Sequence, residues 1–330
     1  MKNWYPFELH THTPHSDGTH TLLEMARKAK ELGLQGIALT DHNTMSGLVD
    51  REAVMEETGV YVARGLEWTT FYGHMVALGI KDYADWRDLS PVEIHKGIER
   101  IHQQGGLAGI VHPYRIGSPI CTGCFWEYQI TDWTEVDYIE VWSETFPSIK
   151  KSNRRAFDLW LDRLNKGNEI SGVSGRDWHR SSNNEQPVAA TFLQIDQGKE
   201  ISDDTILDAI KSGRISVSMG PLLLMDIVDR EGKSYSIGDR VAIDTLELPN
   251  IKVEVDFEVR NGSWKLEDQT LQVIINSNKG MEKKLQISKE NPKVETPLNL
   301  DGVKYFYAEL HGIFEGVKTM IGFTNPIYVR

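Results

Sequence analysis

The sequence predicts an α/β chain in which residues 1–220 form a barrel of strand and helix units and residues 221–330 form a small all-β sandwich. Three observations predict it. Up to about residue 215, short apolar runs alternate with amphipathic stretches, the pattern of βα units. After Gly220-Pro221 the helical stretches stop and alternating strands take over. A chain of 330 residues also exceeds the size at which a single core usually stops growing, so two domains are expected.

In chain order, FELHTHT (Phe7–Thr13) reads as the first strand. The stretch Thr21–Gly33 places Leu22, Leu23, Met25, Ala26, Ala29 and Leu32 near one helical stripe, with Thr21 as the cap and Gly33 as the stop. IALTDH (Ile37–His42) follows as a strand, then YVARGLE (Tyr61–Glu67) and HMVALGI (His74–Ile80). A second helix is expected over Ser90–Gln104, opened by Ser90-Pro91, with Ile94, Ile98 and Ile101 on one face and Gly105-Gly106 as its end. GLAGIVHP, YIEVW, ISGVSGRD and AATFLQI complete seven or so strands, enough to suggest a barrel. Beyond residue 220 the runs are β-rich and separated by turn residues such as Asn261-Gly262 and Asp301-Gly302. Strict alternation over Lys252–Val259 implies a sheet with one wet face, hence the sandwich.

Composition excludes several function classes. Lys plus Arg number 36 against 48 Asp plus Glu, and the net charge of −12 argues against a nucleic-acid polymer or an anionic membrane as partner. No stretch approaches the ~18 consecutive apolar residues of a membrane span, and Met1–His10 lacks the apolar run of a signal peptide. A soluble, cytoplasmic protein is expected, and an oligomer is compatible with the sequence. Cys121 and Cys124, in CTGC, fall short of the four ligands of a structural zinc; a reduced pair on a loop is expected, with a redox pair as the alternative.

Ten of the 11 histidines lie between His10 and His179. His10 and His12 are two apart on a strand, so both imidazoles share a face. Asp17 follows in SDG, His42 ends IALTDH, Glu67 ends VARGLE, His74 opens HMVALGI, His112 ends GIVHP, and Asp177 and His179 close VSGRDWH. Most sit at the carboxyl end of an expected strand, the face that carries the site in parallel α/β barrels. Mixed imidazole and carboxylate ligands suit zinc, manganese or iron better than magnesium or calcium. So many ligands exceed the needs of one ion, and a carboxylate such as Glu67 can bridge two. Closely spaced dications activate a shared water and neutralise a leaving oxygen, which describes hydrolysis. Clustering such groups without a counter-charge would be costly.

HTHTPHSDGTHT followed by LTDHNT, GLEWTT, GHMVALG, HPY and GRDWH resembles the PHP superfamily, named for polymerase and histidinol phosphatase. Within it, the pattern is most similar to the CehA/McbA-like metallohydrolases of carbaryl-hydrolase type. The resemblance covers roughly residues 5–221, and AIKSGRISVSMGP with FTNPIYV is similar to that branch with its added β-rich domain. It implies a distorted (β/α)7 barrel (the PHP fold) holding two or three divalent ions, Zn, Mn or Fe. By motif, His10, His12, Glu67 and Asp177 would hold a first ion, and Glu67 would bridge to a second held by His74 and His112. Asp17, His42 and His179 would hold a third. Trinuclear members often have His where this chain has Asp17, and close relatives often read Gly-Ser-Asp where it has Gly175-Arg176-Asp177.

Further residues attract functional roles. Arg176 offers a planar fork for a phosphate or carboxylate oxygen, with a salt bridge to Asp41 as the alternative, and Arg115 has the same two uses. His15 and His20 are candidates to contact substrate or to donate a proton to the leaving group, or else are exposed loop histidines. His95 and His102 belong to the second helix, away from the site. Glu140 would orient a ligand histidine or pack in the barrel. Trp68 and Trp178 would line a pocket or form a packed wall. The expected activity is that of a multinuclear metal-dependent hydrolase, a phosphoesterase acting on small anionic phosphate mono- or diesters through a metal-bridging hydroxide. An ester, carbamate or amide hydrolase using the same centre is one alternative, and a non-catalytic metal-containing binding module is another.

Overall fold

The computed structural model describes residues 3–117, 123–181, 187–243, 246 and 249–330. Cys121 falls outside these residues, and with it the expectation of a reduced cysteine pair in CTGC. The first part runs β1 (Asn3–Thr11), α1 (Leu22–Glu31), β2 (Gly36–Leu39), α2 (Arg51–Thr58), β3 (Tyr61–Thr70), β4 (Gly73–Leu78), α3 (Ile94–His102), β5 (Leu107–Ile110), β6 (Tyr138–Ser143), α4 (Lys151–Asn165), β7 (Ser171–Gly175), β8 (Ala190–Ile195), α5 (Asp203–Lys211) and β9 (Ile215–Ser218). Helix α1 begins where its cap residue demands: Thr21 and Glu24 form a reciprocal capping box, and Leu22, Met25, Ala26 and Ala29 are buried. Helix α3 is shorter than expected. The Glu93 carboxylate accepts from Ser90 Oγ (2.7 Å), and Ser90 O accepts from Glu93 N (3.0 Å), closing a turn ahead of the helix, which starts only at Ile94.

The strands form the ladder β8-β1-β2-β3-β4-β5-β6-β7. β1–β2, β2–β3, β5–β6 and β6–β7 pair parallel, whereas β3–β4, β4–β5 and β1–β8 pair antiparallel. The reversal at β4 places the start of β4 beside the end of β3. After β7 the chain returns to β1 through a single parallel bridge, Thr11 to Trp178, with Trp178 N bonded to His10 O (2.9 Å) and His12 N to Trp178 O (3.0 Å). Among the described residues this bridge is the one backbone pairing that joins the β7 edge to β1, so the mixed α/β sheet curls round without the full ladder of a closed barrel.

The C-terminal region is sheet-rich, as its alternation implied. It contains β10 (Leu222–Val228), β11 (Ser234–Ser236), β12 (Arg240–Val241), β13 (Asn250–Asp256), β14 (Leu271–Ser277), β15 (Gly280–Ile287), β16 (Lys293–Pro297), β17 (Tyr305–Phe314), β18 (Val317–Thr324) and β19 (Ile327–Val329). Four of these make a separate sheet, β11-β10-β13-β16, while β18 pairs with β9 and continues the main ladder past residue 220. Phe323 on β18 is boxed in by Trp142, Phe157 and Trp160, with centroids 5.1–5.5 Å away. Asn325 is fully buried; its Oδ1 accepts from Gly172 N (2.8 Å) and its Nδ2 donates to Gly172 O (2.7 Å), so its amide pairs with β7 as a strand would. Among the described residues no helix is long and apolar enough to cross a membrane.

Candidate metal centre

The strand ends bring the chemistry together. His10 lies on β1 and His12 one residue past its end, alternating onto one face. His42 continues β2 and is bridged to Glu67 on β3. The hairpin from β3 to β4 sets His74 opposite Thr69, so a residue that opens its strand joins residues that close theirs. His112 and Asp177 lie two residues beyond β5 and β7 with φ of 30° and 53°, left-handed backbone that costs of order 1–3 kcal/mol. The loop bearing Asp17 is fixed by Asp41, which accepts from Thr13 N (2.7 Å), Thr13 Oγ1 (2.7 Å) and Ser16 Oγ (2.8 Å). Gly175 is required by close packing, since a Cβ there would stand 2.4 Å from Glu140 Oε2 and 2.7 Å from His10 Cβ.

Nine side chains fall into three overlapping groups, each with candidate ligand atoms within 4.8 Å of one another: His10, His12, Glu67 and Asp177; Glu67, His74 and His112; and His12, Asp17, His42 and His179. Glu67 divides its oxygens. Oε2 lies 3.1 Å from His10 Nε2 and 3.3 Å from His12 Nε2, while Oε1 lies 2.9 Å from His74 Nδ1 and 3.2 Å from His112 Nε2. Asp177 Oδ1 is 3.0 Å from His12 Nε2, and Asp17 Oδ1 is 3.0 Å from His179 Nε2 and 3.4 Å from His42 Nε2.

These residues fit divalent ions. His10 Nε2, both ring nitrogens of His12, Glu67 Oε2, His74 Nε2, His112 Nδ1 and Asp177 Oδ1 are buried without a hydrogen-bond partner, although several stand near 3 Å from one another. Buried polar atoms are normally paired, and atoms that crowd together without hydrogen-bond alignment are disposed like ligands around a shared centre. Their electrostatics agree. Burial would raise the Glu67 and Asp177 carboxyls, but the surrounding imidazoles outweigh it and hold both well below the usual carboxylate range. At His12 burial wins and lowers the pKa to about 4. At His42 burial is outweighed by Glu67 and Asp17, which raise it to about 9, and at His10 by Glu67, Glu140 and Asp177, which raise it well above its ordinary value.

Around this centre Glu140 Oε2 lies 2.7 Å from His10 Nδ1, turning Nε2 toward Glu67. Arg115 donates to Asp177 Oδ2 and stands 3.4 Å from Glu144 Oε1. The cleft, about 800 Å³, is lined by Asp17, His42, His74, His112, Asp177 and His179 and by Arg115, Arg176, Arg180, Glu144, Cys124 and Trp178. Arg176 is only 6% exposed; its guanidinium lies 4.3 Å over the Trp178 ring, and burial lowers its pKa to about 10. The alternative bridge to Asp41 is not formed, because Thr13 and Ser16 occupy that carboxylate. Exposed His15 turns its Nδ1 to Ser46 Oγ (2.8 Å), and His20 lies by Trp178; neither lines the cleft. His102 faces Asp137 (2.8 Å), and Trp68 is fully buried, donating to Ala84 O. Glu8 was not singled out by the sequence. It is buried beneath His10, accepts from the backbone of His10 and Arg176, and is pushed by burial to about 7.

The model of the PHP domain matches residues 8–103. The uncharacterized protein MJ1587 of Methanocaldococcus jannaschii is 36% identical over 125 residues, 34% of this chain and 69% of that protein. A phosphoribosyl 1,2-cyclic phosphate 1,2-diphosphodiesterase of Eggerthella lenta is 30% identical over 83 residues, 23% of this chain and only 32% of that relative's length. Among solved structures, a two-domain protein from Bacteroides vulgatus ATCC 8482, described as containing a predicted PHP-like metal-dependent phosphoesterase, aligns at 14% identity with a TM-score of 0.54 over 99% of this chain and 96% of that one. That likeness extends the shared fold through the C-terminal sheets. Matched by the PHP-domain model over residues 8–103, and 36% identical to a relative of which it covers 69%, the chain belongs to the PHP-domain family.

Proposed function

We propose that the chain is a multinuclear metal-dependent hydrolase that acts on small phosphate mono- or diesters. The observation that carries this is Glu67, whose two oxygens face two different imidazole groups, the arrangement of a carboxylate that bridges two ions. His10, His12, Glu67 and Asp177 would hold one ion, Glu67, His74 and His112 a second, and Asp17, His42 and His179 a third. Such ions, Zn, Mn or Fe, supply a water acidic enough to act as nucleophile at neutral pH and neutralise charge on the ester oxygens.

The chain's own residues do the remaining work. Glu140 fixes the ring of His10, and Arg115 presents planar donors at the mouth of the cleft, where they suit an anionic ester better than a neutral carbonyl compound. Arg176 lines the same cleft, its guanidinium over the Trp178 ring, and is a second candidate for an anionic ester oxygen. A cleft of about 800 Å³ accommodates a small molecule. The names of the Eggerthella relative and the Bacteroides structure, a cyclic-phosphate diphosphodiesterase and a phosphoesterase, favour phosphorus over carbonyl carbon. We extend the proposal to a cytoplasmic enzyme of the CehA/McbA-like branch, with a (β/α)7 barrel over residues 1–220 and a β-sandwich over 221–330.

A panel of phosphate monoesters, phosphate diesters, aryl esters and carbamates, offered to the metal-loaded protein, tests it. Phosphate esters are expected to turn over, and Glu67→Ala and Asp177→Ala to lose both metal and activity. Turnover confined to esters and carbamates would overturn the phosphoesterase assignment. Full metal content in either variant would overturn the ligand assignment.

A further inference from the structure

A rung is missing where the sheet comes round on itself. Trp178 N donates to His10 O and His12 N to Trp178 O, the two bonds of a parallel pairing between β1 and the chain just past β7. One rung back, a continued parallel ladder would join His10 N to the carbonyl of Arg176 and Arg176 N to the carbonyl of Glu8. Both amides turn elsewhere. His10 N (2.9 Å) and Arg176 N (2.7 Å) donate to the same atom, Oε1 of the Glu8 side chain. A carboxylate oxygen therefore stands in for the absent rung, directly behind the ligands: His10 carries one of the bonded amides, and Asp177 follows the residue that carries the other.

The first ligand group depends on this joint. His10 Nε2 and Asp177 Oδ1 lie 3.5 Å apart although they come from β1 and from the end of β7. Asp177 keeps a left-handed φ of 53°, a strained backbone that persists only where its surroundings fix it. Stability alone does not call for an acid here. Glu8 is 2% exposed, and burying a carboxylate costs more than closing the same gap with backbone pairing and an apolar side chain. We infer that Glu8 is a positioning residue of the metal centre, whose Oε1 sets the spacing of His10 and Asp177 by gripping the backbone of both strand ends. The inference rests on the metal-centre reading of the cleft. Glu140 acts on the ring of His10, whereas Glu8 acts on the main chain, so its effect reaches two ligands at once.

Titration of the metal-free protein with cobalt(II), followed by visible absorption, tests it, because the d–d bands report ligand geometry while the titration gives affinity. Glu8→Gln keeps an acceptor oxygen at the same reach and is expected to bind close to the wild type, with the same bands. Glu8→Asp keeps the carboxylate but is one methylene short of both amides; it is expected to bind about 10- to 100-fold more weakly, with shifted bands. Glu8→Ala leaves both amides without a partner and risks not folding, so the Gln and Asp pair carries the test. A side chain that only stabilised the fold would lower the Tm of Glu8→Asp and leave its bands and affinity unaltered, and that result would overturn the inference. The reverse order, Asp near the wild type and Gln weakened, would overturn it too, since charge rather than reach would then decide. A wild-type protein that takes up no cobalt(II) sinks the metal centre and the inference with it, whereas variants that all bind like the wild type sink the inference alone.

Discussion

Glu140 Oε2 lies 2.7 Å from His10 Nδ1, so the opposite nitrogen of that ring is left to face Glu67 and Asp177. A buried carboxylate behind an imidazole fixes its orientation and raises its basicity as a ligand. Glu140→Gln is therefore expected to weaken metal binding by about 10- to 100-fold while leaving the fold intact. Competition against a chelator of known affinity reads the change, and an unaltered affinity would show that Glu140 merely fills space in β6.

Arg115 reaches Asp177 from outside the ligand group, where an anionic ester would meet it. Arg115→Ala should lower kcat/KM for phosphate esters on the order of a hundredfold, with metal content retained, and Arg115→Lys should recover only part because an ammonium lacks the planar fork. Steady-state kinetics paired with metal analysis checks both. Unchanged kcat/KM would move the anion-facing role elsewhere.

In the metal-free chain three of the imidazoles among the carboxylates, His10, His42 and His179, hold their protons more tightly than a free imidazole does. Burial opposes that charge at His42, but Glu67 and Asp17 raise its pKa from 6.5 to about 9; His179 is raised in the same direction against its burial by Asp17 and Asp177, and His10 well above its ordinary value. The stabilisation from these pairs is fully present below pH 6.5 and is lost as pH rises through about 9. Metal ions need neutral imidazoles, so their uptake must expel these protons and apparent affinity should strengthen as pH rises toward about 9. Calorimetry at neutral pH in buffers of different ionisation enthalpy counts the protons released, and a heat independent of buffer would contradict the assignment.

Much of this centre was legible in the sequence, because alternation on β1 and the carboxyl ends of apolar runs are local signals. His10, His12, Glu67 and Asp177 could be placed that way. Strand direction is not a local signal: HMVALGI reads alike in either sense, and only the β3–β4 hairpin explains why His74, at the start of its strand, joins the others. Side-chain heading was equally hidden. Arg176 adjoins Asp177 in sequence yet lies on Trp178, whereas Arg115, 62 residues away, bonds to Asp177. Glu8 carries no sequence signal beyond its strand, because what distinguishes it is burial under His10 and a bond from the Arg176 backbone, 168 residues on. The C-terminal strands announced themselves by alternation, but their continuation of the first sheet through β9 and β18 depends on pairings between distant segments that no single window contains.

Asn325 joins the last strands to β7 through two hydrogen bonds with Gly172, both fully buried. Asn325→Ala would leave the Gly172 amide and carbonyl without partners and is expected to cost about 2 kcal/mol, seen as a lower Tm and urea midpoint. A loss of only a few tenths would mean that the backbone closes the gap by itself.

Metal analysis of wild-type protein and of Glu67→Ala, each saturated with zinc or manganese and freed of excess, tests the bridging role of Glu67 most directly. More than one tightly held ion per chain is expected in the wild type, with loss of the ions shared through Glu67, and of all hydrolysis, in the variant. A wild-type chain that holds one ion or none, or a Glu67→Ala variant that keeps the full complement, would contradict it.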